Sequence, residues 1–403
     1  MSQAQVVTLG CRLNLAESEF IAAMLERGGD GGRTVVVNSC AVTAEAVRQT
    51  RRAIRRLRRD HPDARLLVTG CAAEIDRKAI GAMDEVDGII PNAAKLDARS
   101  WNLSPPPAGA GIQPRNRAHT RAFVAVQNGC DHACTFCVIP QGRGASRSLP
   151  VVEVLQRVDD HLAAGAAEIV LTGVDVTSWG HDLANAPSLG KLAAAILDAF
   201  PELRRLRLSS VDGAEMDPLL IELFMQEPRM MPHVHLSLQS GDDMILKRMK
   251  RRHSRSDAIA LTERLQKARP NIAIGADLIA GFPTETRAMH EATLAIVREC
   301  RIVHGHVFPF SPRPGTPAAR MPQVDQVDIK ARAAQLREAI ANERAAWLQT
   351  LVNTRHVVLA EGDGTGHAEN FARFRLPAGV AAGTIIELTA TAVEDGLLLG
   401  SVA

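Results

Sequence analysis

Tyrosine is absent, and aromatic residues make up only 3% of the 403 residues. A chain that reads bases by stacking them on many aromatic rings is therefore not expected. An excess of charge is missing too. The 47 basic residues are offset by 45 acidic ones, a net charge of +2, so any affinity for nucleic acid must come from local clusters. No apolar stretch reaches the roughly 20 residues of a membrane span. The greasiest, HLAAGAAEIVLTGV, contains His161 and Glu168. The first residues show no basic segment followed by a long apolar run. A cytoplasmic protein without membrane contact is expected, with its seven cysteines reduced. In that setting cysteine serves as metal ligand, nucleophile or core filler more often than in disulfides.

What is present is ordinary for a chain with a packed core: 46% apolar and 23% charged residues. The length suggests two or three domains. From the start, short apolar runs bounded by glycine alternate with amphipathic helices. This predicts an α/β fold opening with a doubly wound parallel-sheet domain over residues 1–104. The Pro- and Gly-rich stretch 105–118 reads as a linker. Six further strands with intervening helices over 119–346 suggest an incomplete (β/α)6 barrel. Residues 347–403 read as a small antiparallel β module.

Cysteine carries the chemistry. Cys130, Cys134 and Cys137 lie on one loop directly after the first barrel strand, in the spacing C-x3-C-x2-C. Three thiolates so spaced can hold three irons of a 4Fe–4S cluster and leave the fourth open. Zinc would normally take a fourth ligand, and His132 sits within the loop. Cys11, Cys40 and Cys71 are distant in sequence, yet each ends a predicted strand of the first domain, in TLGC, VVVNSC and LLVTGC. In an open parallel sheet those ends share one edge, where ligands bind. They predict a second cluster with an open iron; the alternative is three buried cysteines packing as small hydrophobes.

The C-x3-C-x2-C loop after the first strand of such a barrel resembles the radical S-adenosylmethionine (SAM) superfamily. With the second triplet, and with GCDHACTFCVIPQGRGASRS, LTGVDVTSWG, RLRLSSVD, IGADLIAGFPTET and HVFPFSPRPGTPAARM in order, the chain is similar to the methylthiotransferase branch. TLGCRLN looks most like the enzymes acting on threonylcarbamoyladenosine in tRNA. The tail resembles the family's RNA-binding TRAM module. The resemblance implies two 4Fe–4S clusters and SAM as cofactors. It also implies methylthiolation of C2 of the modified adenosine at position 37, next to the anticodon, with tRNA, a low-potential electron donor and a sulfur donor as partners of a monomer. Methylthiolation of a ribosomal protein or of isopentenyladenosine, and a non-enzymatic iron–sulfur carrier, remain alternatives. A carrier would need fully ligated clusters and little else.

Further SAM contacts are expected at Thr172 and Gly173, ending the second barrel strand, and at Ser210, after the third. Ser209, Gln239 and Asp277 occupy similar positions, and His304 and His306 read as structural. Two basic clusters stand out. Arg48, Arg51, Arg52, Arg55, Arg56, Arg58 and Arg59 share one helix face, within about 160° of one another, and predict phosphate binding. Lys247–Arg255 holds six basic residues in nine and is expected near the same RNA. After Trp347 three arginines face six acidic residues, which argues against a basic RNA grip and leaves a module acting by shape or as a cover over the barrel. Set beside the family it resembles, the region between Gly28 and Thr34 is shorter and more glycine-rich, which suggests that the first domain lacks a peripheral element.

Overall fold

The computed structural model describes residues 5–28, 34–104 and 120–402. The expected linker 105–118, and the stretch 29–33 following Gly28, lie outside the described residues.

The first sheet is built as its apolar runs predict. It contains β1 (Gln5–Thr8), α1 (Arg12–Arg27), β2 (Thr34–Ser39), α2 (Ala44–Asp60), β3 (Arg65–Gly70), α3 (Cys71–Ile75), α4 (Arg77–Gly81) and β4 (Gly88–Ile89). The strands are parallel, in the order β1-β2-β3-β4. β2 and β3 are buried on both faces. Val35, Val37, Leu66 and Val68 pack with Ile54 and Leu57 of α2, and Val36 and Leu67 pack with Ile21 and Met24 of α1. After β3 the chain forms two short helices that meet at Asp76, whose carboxylate takes Arg51 of α2 at 2.5 Å.

The second unit begins with β5 (Arg121–Ala125), β6 (Gln127–Asn128), α5 (Ile139–Arg143), β7 (Arg147–Ser148), α6 (Val151–Ala163) and β8 (Glu168–Thr172). It continues through α7 (Leu189–Ala199), β9 (Leu206–Leu208), β10 (Ser210–Val211), α8 (Pro218–Gln226), β11 (His233–Gln239), α9 (Asp243–Met249) and α10 (Arg255–Ala268). β12 (Ala273–Ala280), α11 (Arg287–Glu299), β13 (Ile302–Pro309) and the long α12 (Gln326–Thr350) complete it. The parallel strands run β5-β8-β9, then β10-β11-β12-β13. β5 and β13 do not pair with each other, so the barrel is open, and α1 packs against β5. Alternation along the strands sorts the side chains. Ala122, Val124, Ile169, Leu171, Val234, Leu236, Ile274 and Ala276 join the core beneath the helices. The intervening positions form the inner wall.

The tail folds as β14 (Arg355–Ala360), β15 (Thr365–His367), β16 (Arg373–Arg375), β17 (Ile385–Glu394) and β18 (Leu397–Val402). These close into a five-stranded barrel around Val358, Phe374, Leu388 and Leu398. The pairing is antiparallel except between β16 and β18, which run parallel and complete the closure. This module covers the ends of the large barrel where its strands begin. Glu168, which opens β8, is fully buried among Arg121, Arg205 and Arg207, with N–O separations of 2.7, 2.7 and 2.9 Å. Arg205 donates to the carbonyl of Val357 (3.1 Å), and Arg207 to that of Ala368 (3.0 Å). Phe371 stacks on His233 at 4.9 Å. The cover expected from the tail's acidic balance is observed at the end opposite the cysteine loop.

Candidate active site

Two of the strand-end cysteines follow a glycine for a steric reason. At Gly10 (φ +99°) a Cβ would stand 2.7 Å from Cys40 Sγ, and at Gly70 (φ +92°) one would meet the carbonyl oxygen of Ser39 at 2.4 Å. No larger residue permits so close an approach of the three strand ends. Polar side chains then tie those ends together. Asn14 Nδ2 donates to the carbonyls of Leu9 (2.7 Å) and Ser39 (3.1 Å), and Asn38 Nδ2 donates to that of Asn14 (2.9 Å). Ser39 Oγ donates to Thr69 and accepts from the Ala73 N–H. Cys40 and Cys71 are buried while Cys11 is exposed. Burial pushes the Cys40 thiol up to about 11, and the adjacent thiols of Cys11 and Cys71 add to the rise. The three distant cysteines therefore converge.

The second triplet lies on the loop after β6. All three of its thiols are half-buried. Burial raises Cys130 to about 12 and Cys137 to about 11. The loop also points donors at sulfur. The His132 N–H reaches Cys130 Sγ and the Ile139 N–H reaches Cys137 Sγ, both at 3.4 Å. Arg251 Nη1 lies 3.8 Å from Cys134 Sγ. His132, within this loop, is fixed by an acidic partner. Its Nε2 lies 2.6 Å from Asp175, and Asp175 with Glu215 raises it to about 10. Protonated, the imidazole offsets the Asp175 carboxylate beside Cys130.

The two triplets face each other. α5, two residues beyond Cys137, packs on α3, which Cys71 opens. At Gly142 a Cβ would lie 3.3 Å from that of Cys71, and Cys71 lies close enough to add to the rise of the Cys137 thiol. Arg143 bridges the units. It donates from Nε to Cys71 Sγ (3.2 Å) and from Nη1 to Glu17 (2.9 Å) and Asn128 (2.7 Å). Glu17 also takes Lys95 at 2.5 Å. Burial opposes the Glu17 charge, but Lys95 and Arg143 outweigh it and hold the carboxyl below its usual range. These sites fit iron–sulfur clusters. Each offers three thiols, with N–H donors or a guanidinium placed on sulfur to offset thiolate charge.

The remaining expected positions are mixed. Thr172 ends β8, and its carbonyl accepts from the Val126 N–H. Gly173 is required by Gln127, whose Oε1 would lie 2.8 Å from a Cβ there; that oxygen accepts the N–H groups of Val174 and Asp175. Ser210 opens β10. The hydroxyl of its neighbour Ser209 is buried without a hydrogen-bond partner among the described residues. Asp277 lies within β12 on the inner wall, where His235 and His306 each approach its carboxylate at 3.0 Å. The alternation of HVHLSLQ and IVHGHVFP marks those histidines as sharing one face, so His306 lines the inner wall rather than serving the core.

The arginine face of α2 is only partly free. Arg51 pairs with Asp76. Arg58 binds Asp87 and the carbonyls of Glu85, Pro62 and Ala64, so it staples the turn after its helix. Arg52, Arg56 and Arg59 remain exposed. In Lys247–Arg255 the arginines are likewise engaged: Arg251 and Arg252 with Asp212, Arg255 with Glu299, and Arg248 with Thr284. Only Lys247 and Lys250 stay exposed in that cluster without an ion pair among the described residues.

Comparison with known proteins agrees with this geometry. Residues 124–297 match the radical SAM superfamily, and residues 3–91 match an uncharacterized protein family, UPF0004. The chain is 42% identical to the threonylcarbamoyladenosine tRNA methylthiotransferase MtaB of Rickettsia prowazekii, over 98% of this chain and 96% of that protein. It is 34% identical to the tRNA-2-methylthio-N(6)-dimethylallyladenosine synthase of Erythrobacter litoralis, over 89% and 86%. Among solved structures, the radical SAM methyltransferase TsrM of Kitasatospora setae shares the fold, with a TM-score of 0.57 at 15% identity, over 79% of this chain and 77% of that one.

Proposed function

The chain belongs to the radical SAM tRNA methylthiotransferase family, and on that premise we propose that it replaces the hydrogen at C2 of N6-threonylcarbamoyladenosine in tRNA by a methylthio group. The observation that carries the reading is the packing of α5 on α3, which sets the Cys130/Cys134/Cys137 loop against the Cys11/Cys40/Cys71 strand ends. The choice of nucleoside rests on the relative named for it, 42% identical over nearly the whole chain.

The radical SAM domain implies one 4Fe–4S cluster and SAM, and we assign that cluster to Cys130, Cys134 and Cys137. A second cluster is assigned to Cys11, Cys40 and Cys71. When bound, these groups supply the electron, the hydrogen abstraction and the sulfur that an unreactive aromatic C–H bond demands. The chain's own residues position and insulate. Gly10 and Gly70 let the strand ends converge, and Arg143 places positive charge on Cys71 while fixing the first domain to the barrel. Ser209, with its buried and unpartnered hydroxyl, is a SAM contact on this reading, together with Gly173 and Ser210. Thr172 supports that edge through its backbone. The working division is 1–104, 119–346 and 347–403, in a cytoplasmic protein supplied by separate electron and sulfur donors.

The direct test is the mass of modified nucleosides in tRNA from cells with and without the gene. Loss of the methylthio form of threonylcarbamoyladenosine is expected. Loss of the methylthio form of isopentenyladenosine instead would reassign the substrate.

The exposed arginines of α2, of which Arg52 lies 3.9 Å from Glu45, supply a second test. The variant Arg52→Gln, Arg56→Gln, Arg59→Gln removes three exposed cations at little cost in helix propensity. If they bind phosphates, tRNA affinity falls, and the slope of log K against log salt becomes shallower by roughly 0.7–0.9 for each phosphate no longer neutralised. The loss should be similar for all tRNAs, because phosphate contacts do not read sequence. An unchanged slope makes this helix a solvated surface.

A further inference from the structure

The inner wall of the open barrel is unusual. Such barrels are normally filled by layers of branched aliphatic side chains. Here the inward positions include Arg121 and Phe123 of β5, His233 and His235 of β11, Asp277 of β12 and His306 of β13, while their sequence neighbours pack outward under the helices. A wall of this kind is built to receive something polar.

Arg12 enters this space from the first domain. It opens α1 and follows Cys11 directly. Its guanidinium carbon lies 5.9 Å from the ring centre of Phe123 and 6.0 Å from that of Phe371. One ring belongs to the large barrel and the other to the C-terminal module, so Arg12 stands where all three parts of the chain meet. Its side chain is nonetheless exposed, so its guanidinium remains accessible between the two rings.

The nearby anions are already committed. Glu168 is held by Arg121, Arg205 and Arg207, and Asp277 by His235 and His306. Among the described residues Arg12 has no carboxylate within ion-pair distance. The two rings attract and orient its cation without neutralising it. An oriented fork of N–H donors with no anion of its own, one residue from a proposed cluster ligand, is suited to a carboxylate brought in by the substrate.

We propose that Arg12 binds the carboxylate of the substrate's threonyl group and so determines which modified adenosine the enzyme accepts. The inference rests on the function proposed above. A threonylcarbamoyl substituent ends in a carboxylate and a hydroxyl; a dimethylallyl substituent has neither. If the bound nucleoside covers this donor, the second substituent is rejected, because the guanidinium is then taken out of water without a partner.

The test uses the full chain, loaded anaerobically, and two anticodon stem-loops. One carries threonylcarbamoyladenosine, and the other the same nucleoside with its carboxylate masked as a methyl ester. Wild-type kcat/KM is expected to fall about 10- to 100-fold from acid to ester, the size expected for a missing charge-assisted hydrogen bond. Arg12→Gln should show a similar fall on the acid and no longer distinguish acid from ester, and Arg12→Lys should recover part of the preference. Binding of the same stem-loops, read by fluorescence anisotropy, gives the same ratio without turnover, so a poorly loaded variant still reports. An Arg12→Gln protein that keeps the wild-type acid-to-ester ratio overturns the proposal, as does a wild type indifferent to the ester. A wild type that modifies neither stem-loop but does modify one carrying dimethylallyladenosine overturns the proposed function itself.

Discussion

Replacing Cys11, Cys40 and Cys71 together by Ala is expected to abolish methylthio transfer while reductive cleavage of SAM continues. The matching variant at Cys130, Cys134 and Cys137 should lose both. The separation follows from how the two triplets are supported. The first depends on Gly10, Gly70, Asn14, Asn38 and Ser39 at the ends of β1, β2 and β3. The second depends on the backbone of the loop between β6 and α5, with His132 and Arg251 beside it. The two scaffolds meet where Arg143 and Gly142 of α5 pack on Cys71. Each substitution removes one sulfur from a side chain, a small change beside Leu→Ala truncations that cost about 2–5 kcal/mol, so both variants should fold. Iron and sulfide should each fall from about eight to about four per chain in either variant. Normal methylthio product from the first variant would mean that its three cysteines are core residues. Stoichiometric zinc without sulfide in the wild type would remove the cluster assignment altogether.

The cysteine positions were legible because local chemistry announces them: a short apolar strand, a turn with glycine or a small polar residue, then a thiol. The positions of the strands follow from the same runs, but their order in the sheet comes from the fold. What sequence could not supply was the partner of each charged side chain. A helical wheel shows that Arg51 and Arg58 point away from the apolar stripe of α2, but not that Asp76 and Asp87 come to meet them. The spacing of His235, Asp277 and His306 shows alternation, but only the assembled barrel makes their face its inner wall. Asn14 and Asn38 stand within the recognisable motifs, yet their role in tying three strand ends together depends on the register β1-β2-β3. In each case the missing information is a contact between segments far apart in the chain.

Glu168 is the clearest such case, and its replacement by Gln is expected to be strongly destabilising. Within an apolar run it reads only as an interruption. In the fold it is a buried carboxylate paired with three arginines that the C-terminal module covers. Burial opposes its charge, but Arg207, Arg205 and Arg121 outweigh burial and hold its pKa at about 2. Burial in turn lowers Arg207 to about 9 even with Glu168 beside it, so losing the carboxylate leaves buried cations uncompensated. Removing one partner of a buried ion cluster typically costs about 3–5 kcal/mol. Because Arg205 and Arg207 also hold the carbonyls of Val357, His367 and Ala368, the C-terminal module should loosen first. Limited proteolysis should then cut between α12 and β14 faster in Glu168→Gln than in the wild type. For the same reason, deleting the chain after Thr350 exposes this cluster instead of leaving the large barrel intact. The pH dependence has a definite sign. The folded pKa lies below the usual 4.5, so the stabilisation from Glu168 is fully present above that value and is lost as pH falls from 4.5 toward 2. Denaturant unfolding at pH 7 and at pH 3 should show a wild-type loss that includes this contribution. The loss in Glu168→Gln should be smaller, because that variant has no carboxylate to protonate. Equal stability of the two proteins at pH 7, with equal sensitivity to acid, would show that the arginines are satisfied without Glu168.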